Sequence, residues 1–253
     1  MNHHKSPPDG WSSMQMNENV YDQPIGELLP GWTRRSLPHH EALLGRYCRL
    51  EPISFRHVNS LFSAYHQVED DRDWTYLPLE RPQNLTDFHR YLAAMQAVSD
   101  PLHYAIVDLQ TEDALGTVAL MRISPDAGSI EVGYVIYSPS LKHTAMATEA
   151  QFLLMQYVFD TLGYRRYEWK CDSLNTPSRA AALRLGFSFE GIFRQALVYK
   201  GRNRDTAWFS IIDSEWATLK RGYQTWLQPD NFDAEGRQLK RLQDCIQAVS
   251  TSA

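Results

Sequence analysis

The residues of this chain best suited to chemistry lie between Ser129 and Phe193, around the turn Lys142-His143-Thr144-Ala145-Met146-Ala147-Thr148. An apolar run, SIEVGYVIY, feeds through that turn into a helical pattern. A helix start leaves backbone N–H groups without partners, and the helix dipole adds positive potential there. Phosphate groups bind at such places. Ala145 and Ala147 are small enough to let an anion approach the backbone, and Lys142 and His143 add positive charge. The opposing reading is purely structural, because every strand–turn–helix exposes N–H groups whether or not an anion binds. A second group, Glu69, Asp70, Asp71 and Asp73 with Trp74 and Tyr76, suits an ammonium ion. Carboxylates attract such a cation and aromatic faces hold it. A solvated acidic loop is the alternative there.

The elements that must position these residues follow from periodicity. Residues 46–51 alternate as a short strand, and Phe55, Val58, Leu61, Phe62 and Tyr65 recur at helical spacing. A second helix is expected over about 85–98, opened by Asn84 or Thr86. Strands over 103–109, 114–123 and 129–137, separated by short turns, form an antiparallel meander. A long helix then runs from near Met146 to Leu162, where Gly163 stops it. After a strand at 166–171 comes a short helix with Thr176 as N-cap and Pro177 at its first position. Strands at about 189–199 and 206–212, joined by the turn 200–205, close the body. The order β α α β β β α β α β β places the fold in the α+β (mixed α/β) class, with a mostly antiparallel sheet flanked by helices.

Three segments follow from this order. Residues 1–44, rich in Pro and Gly, form an arm that is disordered up to about residue 17 and packs irregularly beyond it. Residues 45–213 form the functional domain. Residues 214–253 add a helix at about 214–227 and an amphipathic helix carrying Leu239, Leu242, Ile246 and Val249.

Composition narrows the function. The net charge of −5, without a basic run, argues against a nucleic-acid partner. The polar start MNHHKSPPDG and the lack of any long apolar stretch argue against secretion and membrane insertion, so a cytoplasmic location is expected. Cys48, Cys171 and Cys245 are widely spaced and odd in number, which suits reduced thiols. The pairs His3-His4 and His39-His40 have no partners at ligand spacing, and no HExxH occurs, so no metal is expected. A GxGxxG fingerprint is absent, and Gly186-Phe-Ser-Phe-Glu-Gly191 misses the GxSxG spacing of a serine hydrolase.

Ordered motifs along residues 45–213 resemble the GNAT superfamily of acetyl-CoA-dependent N-acetyltransferases, in its RimJ/RimL-like branch. They are Ile130-Glu-Val-Gly-Tyr134, Lys142 to Ala150, Asn175-Thr-Pro-Ser178, Leu185-Gly-Phe187 with Glu190-Gly191, and Arg204-Asp205. The resemblance implies a GNAT-like sheet with one splayed parallel strand pair and acetyl-CoA as co-substrate. The family's Q/R-x-x-G-x-G/A turn falls on Lys142, His143, Thr144, Ala145, Met146 and Ala147, followed by Thr148, with Ala145 in place of the first Gly. That exchange requires a negative φ at Ala145. The resemblance further implies that the pantetheine arm pairs with the backbone of Val135, Ile136 and Tyr137, and that Asn175 bonds the pantetheine or acetyl region. The acceptor pocket is expected between the loop after the first helix, bearing Asp71, Trp74 and Tyr76, and the turn 200–205, with Tyr199 beside it.

The implied reaction sets its own demands. The attacking amine must be neutral, although an α-amino group titrates near about 8 and a lysine near about 10.4. Glu131, in an otherwise apolar strand, is the candidate proton acceptor, direct or through water. The rival role is a structural carboxylate paired with Arg or Lys. Many family members carry a Tyr acid four residues before the Gly-Phe pair, where this chain has Ala182. Ser178 or an ordered water is the candidate substitute. The acceptor is a small-molecule amine or a protein N-terminus, and the chain is a monomer or a homodimer. A non-catalytic acyl-CoA-binding sensor or interaction module is the competing function.

Overall fold

Every residue from Leu102 to Val107 is buried, so their strand must lie inside a sheet covered on both faces. The computed structural model, which describes residues 17–251, shows this arrangement. The chain divides into two compact units, Met1–Thr33 and Arg34–Ala253. In the first, β1 (Asn17–Glu18) pairs antiparallel with β2 (Pro24–Ile25), and the Asn19 side chain accepts the N–H groups of Tyr21 and Gln23 to hold the turn. The expected disorder of the first residues and the His3-His4 pair lie outside the described residues.

The second unit begins earlier than the expected boundary at 45. Residues 34–44 are tied into it: the Tyr157 hydroxyl donates to the His39 carbonyl and accepts its N–H, and the Tyr164 hydroxyl donates to the Ser36 carbonyl. The strands of this unit are β3 (Leu43–Leu44), β4 (Cys48–Pro52), β5 (Leu102–Asp108), β6 (Ala114–Ser124), β7 (Ser129–Tyr137), β8 (Arg166–Asp172), β9 (Ser188–Tyr199) and β10 (Arg202–Ile212). They form one eight-stranded sheet in the order β3-β4-β5-β6-β7-β8-β10-β9. All neighbours are antiparallel except β7 and β8.

Helices α1 (Val58–Tyr65) and α2 (Leu85–Gln96) cover one face; α3 (Ala145–Gln156) and α5 (Asp213–Trp226) cover the other. The strand pleat sends alternate residues to the two cores. Thus Ala105 and Val107 join Val58, Leu61, Phe88 and Leu92, while Tyr104 and Ile106 join the cluster of Leu154, Val158 and Tyr223. Helix α3 is buried from Ala147 to Met155, and its Glu149 carboxylate accepts the N–H groups of Arg46, Tyr47 and Cys48 at 2.7, 2.7 and 2.9 Å. That bond set locks the helix to the first long strand. A five-residue π turn, Tyr157–Thr161, ends it, and Gly163 (φ +64°) turns the chain away.

Helix α4 (Thr176–Arg184) is capped by Asn175, one residue earlier than expected, whose side chain accepts the Ser178 N–H. Strands β9 and β10 meet at Lys200-Gly201, both with positive φ, a tight two-residue hairpin rather than the longer turn expected. Helix α5 is part of the core: Trp216 stacks on Phe159, and the Tyr223 hydroxyl donates to the Leu185 carbonyl. Helix α6 (Leu242–Ser250) packs on it through Leu242 and Cys245, whereas Leu239 is exposed. Among the described residues no helix is long and apolar enough to cross a membrane.

Candidate active site

The site begins where one strand pair comes apart. Strands β7 and β8 pair in parallel from Ser129↔Arg166 to Val132↔Trp169 and no further. The cause sits on the other side of β7. Ala119 pairs with Gly133 and Thr117 with Ile136, so Tyr134 and Val135 together oppose the single residue Val118. This is a β-bulge, and Tyr134 takes φ +47° within it. One extra residue reverses the faces: Ile130 and Val132 join the core under α3, but Ile136 joins the core under α1 and α2. Beyond the bulge β7 diverges, while β8 stays paired with β10 as far as Asp172↔Thr206. The facing edges of Val135–Tyr137 and Lys170–Asp172 therefore carry no ladder between them.

The turn after β7 is built by local bonds. The Ser138 carbonyl accepts the N–H groups of Leu141 and Lys142. Thr144 caps α3: its hydroxyl accepts the Ala147 N–H at 3.2 Å and donates to the Leu141 carbonyl at 2.6 Å. Ala145 is the first helical residue, and the left-handed conformation falls on the exposed His143 instead, at φ +62°. The alanine at 145 thus meets the condition that replacing glycine imposes. The N–H groups of Ala145 and Met146 precede any intrahelical acceptor. The Lys142 Nζ pairs with Asp73 Oδ1 at 2.5 Å across to the acidic loop. Thr148 is buried and accepts from Arg184 at 3.0 Å, so its side chain serves helix packing. Tyr137 turns its ring to α3, where its hydroxyl bonds the Ala147 carbonyl and Gln151.

Glu131 sits just before the bulge, 5% exposed. Its Oε2 meets Lys170 Nζ at 2.8 Å and Arg122 Nε at 3.0 Å. Lys170 is shared with Glu168 at 2.7 Å and lies 3.9 Å from the centre of the Trp208 ring. Burial raises the proton affinity of Glu131 and outweighs the opposing pull of Lys170 and Arg122. Burial also acts on Glu168, but bonds from Arg166 and Lys170 prevail and lower it.

At the far end of the gap, Ser178 accepts the indole N–H of Trp169 at 3.0 Å and lies against the Cys171 thiol, which burial pushes up. Ala182 is fully buried and brings no proton donor to this end.

Three segments converge at the end of β8. The Tyr76 hydroxyl donates to the Leu174 carbonyl at 3.2 Å, Lys200 Nζ donates to the Trp74 carbonyl at 2.8 Å, and the Tyr199 hydroxyl donates to Asp172 Oδ2 at 2.7 Å. Burial, with help from Asp172, pushes Tyr199 up to about 12. The Trp74 indole is buried, edge-on to Tyr65 and Tyr91, and props the loop from beneath. Asp71 pairs with the buried Arg81 at 2.7 Å, and Arg81 also bonds the carbonyls of Tyr65, Val68 and Glu69. Sequence reasoning missed Asp172. The available signal was one more residue of strand after Cys171, which would have put this carboxylate beside the hairpin. Among the described residues no group of three or more His, Cys, Asp or Glu is placed to hold a metal ion.

A mostly antiparallel sheet whose one parallel pair splays beside a capped helix start defines an acyltransferase scaffold. Residues 48–188, more than half of the chain, match the family profile described as the acetyltransferase (GNAT) domain, and the chain belongs to that family. It is 50% identical to a GCN5-related N-acetyltransferase from Brucella melitensis of known crystal structure, with a TM-score of 0.84 over 87% of this chain and 100% of that one. It is 32% identical over 116 residues to the uncharacterized N-acetyltransferase p20 of Bacillus licheniformis, covering 45% of this chain and 64% of that protein, just under two-thirds of the relative's length. The Salmonella typhimurium acetyltransferase described as modifying the N-terminal serine of a ribosomal subunit protein superposes with a TM-score of 0.58 over 68% of this chain and 99% of that one; at 18% identity this likeness shows the fold alone.

Proposed function

We propose that this chain transfers the acetyl group of acetyl-CoA to a primary amine by direct attack within a ternary complex. The observation that carries the reading is the parted strand pair beside the start of α3. Acetyl-CoA supplies the thioester that the amine attacks. The unladdered backbone of Val135, Ile136 and Tyr137 suits the amides of the pantetheine arm, and a backbone N–H there is preorganised for the developing oxyanion. The turn from Lys142 through His143, Thr144, Ala145, Met146 and Ala147 to Thr148 suits the diphosphate, with Lys142 leaving Asp73 to meet it. Asn175 spends its side-chain oxygen on the α4 cap, so its amide N–H groups are the ones that face the donor. Ser178 accepts from Trp169, and its O–H, which lies against the Cys171 sulfur, turns to the departing thiolate. Glu131 uses Oε2 for Lys170 and Arg122, leaving Oε1 to take the amine proton through water.

The acceptor class is a protein N-terminus or a small-molecule amine, met in the cytoplasm, with Tyr76, Tyr199 and the loop of Asp71 and Trp74 forming its surroundings. Two measurements test the reading in sequence. Calorimetry with coenzyme A is expected to give saturable heat; none would end the proposal. Thiol release from acetyl-CoA is then followed across a panel of short peptides and polyamines, with mass spectrometry of the product. Tight coenzyme A binding without turnover of any amine would favour the non-catalytic sensor.

A further inference from the structure

Most of the acidic residues able to attract a cationic acceptor are already paired with a cation; among the described residues Glu69 is not, and it lies exposed on its loop. Asp70 is bonded to Arg72, Asp71 to Arg81, Asp73 to Lys142, and Glu131 and Glu168 to Lys170. Asp172 is 5% exposed, and no cation pairs with it among the described residues. Its Oδ1 accepts the Leu174 N–H at 2.9 Å and its Oδ2 accepts the Tyr199 hydroxyl at 2.7 Å. Both donors are neutral. A carboxylate has about four lone-pair positions, so these two bonds leave it unsatisfied.

The cations nearby are held elsewhere. Arg204 on β10 donates to Thr206 and lies over the Tyr199 ring at 5.9 Å. Arg179 on α4 donates to the Ser173 carbonyl. Lys200 on the hairpin is bonded to the Trp74 carbonyl and to Glu80.

Resting on the acetyl-transfer reading, we propose that Asp172 and Tyr199 form the subsite that binds the ammonium group of the acceptor. Asp172 ends the strand whose partner has diverged, three residues past the last parallel pair at Trp169. It faces the same convergence of loop and hairpin that carries Tyr76 and Lys200. A buried carboxylate without a counter-charge is unfavourable in the empty fold, and a primary ammonium reverses that by supplying both the charge and several N–H donors. The Tyr199 hydroxyl fixes the carboxylate plane, so the lone pairs left over point in a defined direction. The rings of Tyr199 and Tyr76 add faces that favour a cation over a neutral group. The chemistry selected is a primary ammonium, as on a peptide N-terminus or an alkylamine.

The test uses the full chain saturated with coenzyme A, whose binding is first established by calorimetry. n-Butylammonium chloride is titrated while the ring signals of isotope-labelled Tyr199 are followed by NMR, assigned with Tyr199→Phe. A saturable shift is expected in the wild type and in Glu131→Gln. Binding about tenfold or more weaker is expected in Asp172→Asn, which keeps shape and the Leu174 bond but loses the charge. Tetramethylammonium, which has no N–H, is expected to bind the wild type more weakly than n-butylammonium, and this comparison needs no variant to fold. Failure of coenzyme A to bind removes the acetyl-transfer reading and this subsite with it. Intact coenzyme A binding with no n-butylammonium shift, an unchanged shift in Asp172→Asn, or equal response to both cations overturns the ammonium subsite alone.

Discussion

Two carboxylates border the gap, Glu131 on β7 and Asp172 on β8, and both are 5% exposed. Their partners differ in charge. Glu131 is held by Lys170 and Arg122, Asp172 by a backbone N–H and a phenol. Equal burial therefore leads to opposite outcomes. At the Glu131 corner the negative charge is consumed by the fold, and what remains useful is an oxygen of raised proton affinity. At the Asp172 corner the charge itself remains to be answered by something outside the fold. Burial alone does not mark a carboxylate as structural or functional; the charge of its bonded neighbours does.

The largest expected effect breaks the first corner. Lys170→Met leaves Glu131 and Glu168 without their shared buried cation, and roughly 3 kcal/mol of stability should be lost, read by urea denaturation. A loss under about 1 kcal/mol would mean that Arg122 and Arg166 suffice. The next contrast separates the two carboxylates kinetically. Glu131→Gln is expected to lower kcat about 100-fold with little change in acceptor KM, as removal of a proton acceptor does. Asp172→Asn is expected to raise acceptor KM about tenfold, the smaller effect. Equal patterns in the two variants would erase the distinction.

The same corner has a sign in pH. The folded proton affinity of Glu131 is raised, so its contribution to stability is full below its ordinary value of about 4.5 and is lost as pH rises through the folded value. Glu168 is lowered, so its contribution is present above its ordinary value and is lost as pH falls through the folded one. Glu131→Gln removes only the first of these slopes. Its stability relative to the wild type should therefore improve as pH rises from about 4.5 and level off once pH has passed the folded value, measured by denaturation at fixed ionic strength. A flat difference would show that Lys170 fully offsets the burial.

Much of this architecture is legible in the sequence, because it depends on periodicity. The meander from 102 to 137, the long buried helix and the strand after it all follow from alternation or helical spacing. The bulge does not. Gly133, Tyr134 and Val135 continue an apolar run that suits an unbroken strand, and only pairing with Val118 exposes the extra residue. The turn 142–148 could be placed by its small residues, but the ion pair between Lys142 and Asp73 joins segments far apart in sequence. Trp74 was legible as an aromatic among acids and not as a buried prop, since loop burial depends on how α1 and α2 meet. Asp172 was hidden by a one-residue difference in strand length.

The smallest effect concerns the turn before α3, where charge is paired and partly exposed. Lys142 and Asp73 are 36% and 29% exposed in their side chains, so their ion pair contributes little to stability, within about 1 kcal/mol. Its consequence lies in competition for one ammonium group. Lys142 cannot serve Asp73 and a diphosphate equally well, so the carboxylate should weaken donor binding slightly. Lys142→Ala is expected to lower coenzyme A affinity several-fold and to reduce its salt dependence, because one charged contact is gone. Asp73→Asn should do the reverse, tightening coenzyme A by no more than about threefold at low salt, with the gain fading as ionic strength rises. Calorimetric titrations at two salt concentrations distinguish the variants. If Asp73→Asn instead weakens coenzyme A, the carboxylate is orienting Lys142 for the diphosphate, and this turn is preassembled in the way that the Asp172 corner is not.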